Sequence, residues 1–364
     1  MLTDIKIDLQ LAPLIDKPPI SSEELYKNAC SGDQVTIKTW KDIWVSNYQS
    51  CKDRFGTIGD HSWGKLYGVN KNKPMIVIGS GPSLKNQINS LRENQTSQNP
   101  IMTVSCLHNL SYFVQEGIEI DYYFTLDAGP VVLKDAVELN GKDPSFYWSM
   151  TKGKKLLAYA ASDPGLWEKW QGEVYLFNCL LPDFGLRTKM TEIEKFTHYV
   201  SSGGNAGGGA TYFAKMIAGS NPLYFVGFDF CFDYHNVFHA WESQYDNYEG
   251  KGIGQVIRWP DIYGVPRSTW PSYLNFKFFM DYLTQQVPGD YVSCSQGIMG
   301  AYPQGNIKGF QYKTLYEALL PYQMNERVFI EERNVSDNSV VGRKEFQLSE
   351  ILKNPQYEHD LTFY

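Results

Sequence analysis

Four short runs of this 364-residue sequence bring together residue types that handle anions and protons. The first, Val77 to Leu84, reads VIGSGPSL. Gly79 and Gly81 let a backbone turn sharply and approach a ligand closely. A helix starting just beyond them would offer free N–H groups and a favourable dipole to an anion. Ser80 and Ser83 add hydroxyl donors, and Ser83 is placed to cap that helix. Leu84 and Lys85 stand where a full Gly-x-Gly-x-x-Gly fingerprint needs small residues, and no Gly-Lys-Ser/Thr ending is present. A plain strand-to-helix turn is the other use of the same residues.

The second run is TLDAG, Thr125 to Gly129. Asp127 can accept from a ribose hydroxyl or a base, hold Mg²⁺, or cap the helix that follows. In the third, SSGGNAGGGA at 201–210, the glycines carry an entropic cost that needs a reason. Close approach of Gly203 and Gly204 to a phosphate or base is one reason, and a hinge is another. Ser201, Ser202 and Asn205 supply the side chains best placed to bond a ligand there. The fourth run, Asp229 to Glu242, holds His235 and His239 with the carboxylates Asp229, Asp233 and Glu242. Such a group can bind a metal or supply a general base. The His-x-x-x-His spacing suits a zinc helix, but the zinc-protease pattern requires Glu directly after the first His, where Asn236 stands.

The elements that must position these runs are legible from apolar periodicity. Met75–Ile78 is a short, continuous apolar run of the kind found in a buried parallel strand, and the first run follows it directly. Further strands are expected over 101–105, 121–126, 155–160, 173–178, 223–227 and 290–295, with helix-like spacing after 84, after 108, over 210–219 and over 272–285. Strands alternating with helices predict an α/β fold: a doubly wound, mostly parallel Rossmann-like sheet with helices on both faces. Ligands of such sheets lie beyond the carboxyl ends of the strands, and all four runs fall at such ends. Trp40, Ile43, Trp44 and Tyr48 have helical spacing within an N-terminal extension, residues 1–70. Residues 71–325 form a Rossmann-like nucleotide-binding domain in this reading, with a long aromatic lid loop over about 235–270 and a peripheral, charged tail over 326–364.

Composition narrows the partners. A formal charge of −7 without a long basic run argues against nucleic acid, which is held by Lys and Arg neutralising phosphates. Six well-separated Cys form no zinc spacing and read as buried small side chains in a reducing compartment. No stretch approaches the roughly 18 apolar residues of a membrane span, and the start lacks a secretory pattern, so a cytoplasmic, soluble protein is expected.

Taken together, the runs resemble a superfamily that spans the motility accessory factor flagellin glycosyltransferases, the archaeal 6-hydroxymethylpterin diphosphokinases and, more distantly, the bacterial sialyltransferases that use CMP-sialic acid. VIGSGPSL, IEIDYYFTLDAG, GGGATYFAKMIAGSNPLYFVGFDF, HAWES and YVSCSQGIMG occur in the family's order, within roughly residues 74–320. The resemblance implies that Gly79, Ser80, Gly81 and Ser83 face nucleotide phosphates or ribose, that Asp127 is a polar nucleotide contact, and that Ser202, Gly203 and Gly204 line the base or phosphate pocket. His239, or else His235, would match the sialyltransferase general base. The leading expectation is glycosyl transfer from a CMP-type nucleotide sugar to an acceptor hydroxyl, without a redox cofactor. The alternative is ATP-dependent diphosphoryl transfer to a pterin alcohol, with Mg²⁺ on Asp127 and Asp229. A non-catalytic nucleotide-binding protein is the third reading.

Overall fold

The structure is a computed structural model that describes residues 22–56, 58–137, 143–179, 199–200, 203–235, 237–241, 256–323, 327–333 and 340–347. The apolar runs become strands close to where periodicity puts them: β1 (Met75–Ile78), β2 (Met102–Cys106), β3 (Tyr122–Thr125), β4 (Lys155–Tyr159), β5 (Glu173–Cys179), β6 (Tyr199–Val200) and β7 (Leu223–Val226). Two antiparallel hairpins follow in the sequence, β8 (Ile257–Pro260) with β9 (Pro266–Thr269) and β12 (Arg327–Arg333) with β13 (Val340–Gln347). Between them lie β10 (Tyr291–Ser293) and β11 (Gln311–Tyr312).

Nine strands form one sheet in the order β11-β10-β7-β1-β2-β3-β4-β5-β6, with every neighbouring pair parallel. The chain winds outward from β1 to β6, then crosses back to lay β7 on the other side of β1. The strand order therefore reverses between β1 and β7, where a doubly wound sheet opens its ligand crevice. β1, β3 and β7 are buried at every position, so both faces of the sheet centre are covered. One cover is α7 (Ala206–Tyr212, the seventh α-helix among the described residues, after α1–α6 at 22–55, 88–96, 110–116, 131–135, 144–149 and 165–169), which crosses β1, β2 and β3. Its small residues let it lie close: a Cβ at Gly209 would overlap the ring of Phe124 on β3.

The N-terminal helix is longer than its apolar spacing suggests. α1 spans Ser22–Phe55, and Trp44, Asn47, Tyr48 and Cys51 are buried on one stripe. Ile43, expected in that stripe, is exposed instead, because it lies off the line that Trp44, Tyr48 and Cys51 define. Asn47 is the polar exception. Its Nδ2 donates to the carbonyls of Ala128 (2.8 Å) and Ala161 (3.1 Å), just beyond the carboxyl ends of β3 and β4. Trp40 packs over Gly129, where a Cβ would lie 2.9 Å from the indole Cζ3. The helix is thus a wall of the carboxyl edge.

The segment expected to be a lid differs from a mobile loop over its second half. β8 and β9 are docked by Ile257 and Trp259, which pack with Cys231, Leu274, Phe278 and Ile298. Thr269 Oγ1 donates to the Phe230 carbonyl (2.5 Å), and Arg267 donates to that of Phe232 (3.1 Å). Trp259, one of the aromatic residues of the expected lid, is here committed to a satellite core, while Tyr263 is exposed. Residues 242–255 lie outside the described residues. Two strands also lie within the tail expected after 326. Among the described residues, no helix is long and apolar enough to cross a membrane.

Asn47 gives the fold a direct test. Asn47→Ala leaves two buried carbonyls without their donor and is expected to lower unfolding stability by about 1–3 kcal/mol in urea titrations. Gln49→Ala, on the exposed side of the same helix, should change it by less than about 0.5 kcal/mol. Equal effects would contradict the wall role of α1.

Candidate functional site

The loop after β1 is built against the loop after β7. Gly79 N–H donates to the Val226 carbonyl (2.8 Å) and Gly81 N–H to that of Gly227 (2.9 Å). This closeness is what the glycines serve, since a Cβ on Gly79 would stand 2.5 Å from the Gly227 oxygen. The amide of Ser83 donates to Asp229 Oδ2 (2.9 Å). A 3₁₀ turn, Pro82–Gln87, follows, so α2 (Ile88–Thr96) begins later than the expectation of a helix directly after the glycines.

Those contacts correct the simplest phosphate-cradle reading. The backbone donors of Gly79, Gly81 and Ser83 are occupied by protein oxygens, Pro82 has none, and Ser83 is buried. A carboxylate of the chain already sits on an amide that an anion would use. Ser80 is different: among the described residues its amide and hydroxyl make no hydrogen bond, and it is half-buried at the edge. Its carbonyl accepts the Ala240 amide (3.0 Å).

Asp229 is the centre of a second layer. It is fully enclosed, Oδ1 accepts the Gln296 amide (3.2 Å), and its carbonyl accepts the Ile298 amide (2.9 Å). The loop after β10 is thereby clamped onto the loop after β7. Burial pushes the Asp229 carboxyl pKa up, and its amide donors from Ser83 and Gln296 and the nearby Arg267 pull it back. The next residue, Phe230, holds φ at 54°, in the left-handed region that bulky side chains avoid. Strain of that kind persists only where surrounding contacts fix it.

Asp127 and Asp229 stand beyond strands three places apart in the sheet, roughly 14 Å at the usual strand spacing. Both Asp229 oxygens already accept amides. Among the described residues no three His, Cys, Asp or Glu side chains gather as metal ligands. The Mg²⁺ expectation for this pair does not fit the arrangement.

Asp127 itself is exposed, with protein packed closely around its carboxyl. That crowding raises its pKa, Asp135 raises it further, and His108 with the Thr125 hydroxyl opposes the shift. The glycine-rich run has a structural task. Gly203 and Gly204 hold φ at 62° and 79°, and their Cα atoms face Phe279 and Phe276. Asn205 caps α7, its Oδ1 accepting the Gly208 amide (2.7 Å). Ser201 and Ser202 lie outside the described residues.

The two histidines of the fourth run separate. His235 is exposed on a turn closed by Asp233, whose Oδ1 accepts the amides of His235 (2.8 Å) and Val237 (2.9 Å), while Lys85 pairs with Oδ2 (3.0 Å). His239 is buried beside the β1 loop, 5 % exposed. Its ring lies 5.1 Å from that of His108, a residue that motif reading passes over because it looks like the start of an amphipathic helix. Trp241 stacks on Tyr112 (5.1 Å, 19°) and meets the His108 ring edge-on (5.0 Å).

The sequence and the fold have relatives. The 6-hydroxymethylpterin diphosphokinase MptE-like family matches residues 53–235, half of the chain. The chain belongs to that family. The match takes in the β1 loop, Asp127, the glycine run and Asp229, and stops short of His239. Among solved structures, the fold of this MptE-like chain is similar to that of a MAf glycosyltransferase from Magnetospirillum magneticum AMB-1, with a TM-score of 0.51 at 13 % identity. The alignment covers 74 % of this chain and 38 % of that one. No curated protein sequence matches significantly.

A cavity of about 330 Å³ lies elsewhere, against Glu173 at the amino end of β5 and lined by Phe55, Asp60, His61, Lys65 and Tyr175. It sits on the edge opposite the crevice, where parallel sheets do not gather ligands. The crevice, at the reversal of strand order, is the better site on position and chemistry.

Beneath it, α8 (Pro271–Gln286) carries a fully enclosed ion pair, Lys277 Nζ to Asp281 (2.6 Å). Lys277 also donates to the Ala301 carbonyl (2.7 Å), and Asp281 accepts the Gly300 amide (2.8 Å), so the pair holds the far end of the clamping loop. Burial pulls the Lys277 pKa down to about 8 despite its partner, and pushes the Asp281 carboxyl up. Lys277→Met strands a buried carboxylate and should cost about 3–5 kcal/mol at neutral pH, with Lys277→Met/Asp281→Leu recovering most of it. Between pH 8 and 10.5 the unfolded chain keeps the Lys277 proton that the folded chain has lost. Stability of the parent relative to the double variant should therefore rise across that window in chemical denaturation. A fall would mean instead that pairing with Asp281 outweighs burial and keeps the proton on Lys277.

Proposed function

We propose that this chain is a nucleotide-dependent transferase, with glycosyl transfer from a CMP-type nucleotide sugar as the leading reading. One observation carries it: at the β1–β7 reversal, the uncommitted Ser80 donors, two imidazoles and the open Asp127 carboxyl share one carboxyl edge. Binding of the nucleotide would order it along that edge, with Asp127 receiving ribose hydroxyls and Ser80 donating to phosphate. His239 takes the proton of the acceptor hydroxyl as its oxygen attacks the anomeric carbon. The bond from that carbon to phosphate breaks, and its electron pair leaves on the nucleotide.

A second reading is favoured by the name of the matching family: diphosphoryl transfer from ATP to a pterin alcohol. The two differ in the atom attacked, carbon or phosphorus. They share an acceptor hydroxyl that loses a proton and a nucleoside monophosphate that departs, CMP in one and AMP in the other. The residues of the edge suit that shared chemistry.

A thermal-shift screen of CMP, UDP, GDP and ATP, each with and without Mg²⁺, separates the readings. Selective stabilisation by CMP without metal is expected. Stabilisation by ATP only with Mg²⁺ would replace the first reading with the second, and no shift with any nucleotide would remove both. With a turned-over donor in hand, His239→Ala should lower kcat by roughly 10²- to 10⁴-fold. Unchanged turnover would remove His239 as the base.

A further inference from the structure

We propose that Asn109 is a positioning residue for phosphate binding, holding the Gly79–Ser80 peptide so that the Ser80 N–H faces the departing phosphate; this rests on the transferase reading above. Asn109 lies just after β2 and is fully buried. It stands at the N-cap of α3 (Leu110–Glu116), where an Asn side chain normally accepts from the first helical amides, yet it caps nothing. Its Nδ2 reaches back 30 positions instead and donates to the Gly79 carbonyl (3.0 Å). The second Nδ2 hydrogen goes to Ser105 Oγ (2.8 Å). These acceptors fix the orientation of the side-chain amide, since a turned amide would set Oδ1 against the Gly79 oxygen. Oδ1 has no hydrogen-bond partner among the described residues, so the side chain acts through its two donations.

Three consecutive peptide planes of the β1 loop are held in different ways. The Ile78–Gly79 plane is held by the Gly79 N–H bond to the Val226 carbonyl (2.8 Å). The Ser80–Gly81 plane is held at both ends, by the Ala240 amide on the Ser80 carbonyl (3.0 Å) and by Gly81 N–H on the Gly227 carbonyl (2.9 Å). All of these are backbone bonds. The Gly79–Ser80 plane between them has one hydrogen bond among the described residues, and the Asn109 side chain supplies it. A trans peptide points its C=O and N–H in opposite directions. Turning the Gly79 carbonyl toward Asn109 therefore turns the Ser80 N–H away from it. Gly79, which has no Cβ, would let this plane rotate once the Asn109 bond is gone.

The neighbouring amides are committed: those of Gly79 and Gly81 to carbonyls, and that of Ser83 to Asp229 Oδ2 (2.9 Å). The Ser80 N–H has no acceptor among the described residues, and Ser80 is half-buried at the carboxyl edge. It is the backbone donor that the loop can offer to an anion, and its direction is set by a side chain from beyond the next strand. A donor fixed before the ligand arrives stabilises phosphate charge without reorganising. Asn109 touches no reacting atom and acts on the phosphate only through Ser80.

Calorimetric titration of the full chain with CMP and AMP, and with cytidine and adenosine, tests this. Asn109→Ala should weaken monophosphate binding by roughly tenfold to a hundredfold and leave nucleoside binding unchanged. Asn109→Asp, which keeps the size of the side chain and removes its donor, should do the same and stands in if the Ala variant does not fold. Ser105→Ala removes the other partner of Asn109 and should bind like the parent, which a role confined to holding the β2 turn would not give. In the unaltered protein, the monophosphate and not the nucleoside should move the Ser80 amide ¹H resonance downfield, and Asn109→Ala should lose that shift. Parent-like monophosphate affinity in both Asn109 variants, an equal loss for nucleoside and monophosphate, an equal loss in Ser105→Ala, or an unmoved Ser80 amide in the parent would overturn the assignment while the transferase reading stands. A parent that binds monophosphate no better than nucleoside would remove that reading and this inference together.

Discussion

The Asp229 carboxylate, enclosed beyond the carboxyl end of β7, accepts one amide from the β1 loop and one from the β10 loop. Three crossovers that belong to different parts of the sequence meet on this side chain, and the crevice keeps its shape through it. A buried carboxylate is unfavourable unless every oxygen is hydrogen-bonded, so the bonds to Ser83 and Gln296 are a condition of the fold as much as a consequence. Gly81 must lack a side chain because this carboxylate stands beside it. The anion that the glycine-rich loop was built for is, in the first instance, part of the protein.

That arrangement moves the chemistry outward. With the inner amides committed, the proposed reading places a ligand against Ser80, His239 and Asp127. They follow β1, β7 and β3, and neighbouring residues fix them: Gly81 donates to Gly227, Ala240 donates to Ser80, and Ala128 accepts from Asn47 of α1. Rigid strand ends and backbone bonds set the positions, and no described side chain has to move for the groups to share one edge. A site on element ends is held more precisely than one on free loops.

Much of this was legible in the residues. Continuous apolar runs such as Met75–Ile78 and Leu223–Val226 admit only a covered parallel strand, and the helices between them fix the winding. What periodicity misses has physical reasons. The β8–β9 hairpin is short, and its Trp259 and Pro residues resemble a loop until Phe278 and Cys231 are seen to bury it. Ser83 and Asp229 both look like ligand contacts because residue type cannot say that they satisfy each other across 146 positions. His108 escapes for the opposite reason: it has no motif around it, and only the return of the chain to His239 gives it a partner.

The most direct measurement is a crystal structure of the chain with a bound nucleoside monophosphate. The account predicts the phosphate within hydrogen-bond distance of Ser80, with the ribose toward Asp127. A monophosphate seated instead in the cavity between His61 and Glu173 at the amino end of β5, or one that displaces Asp229 from the Ser83 amide, would contradict it.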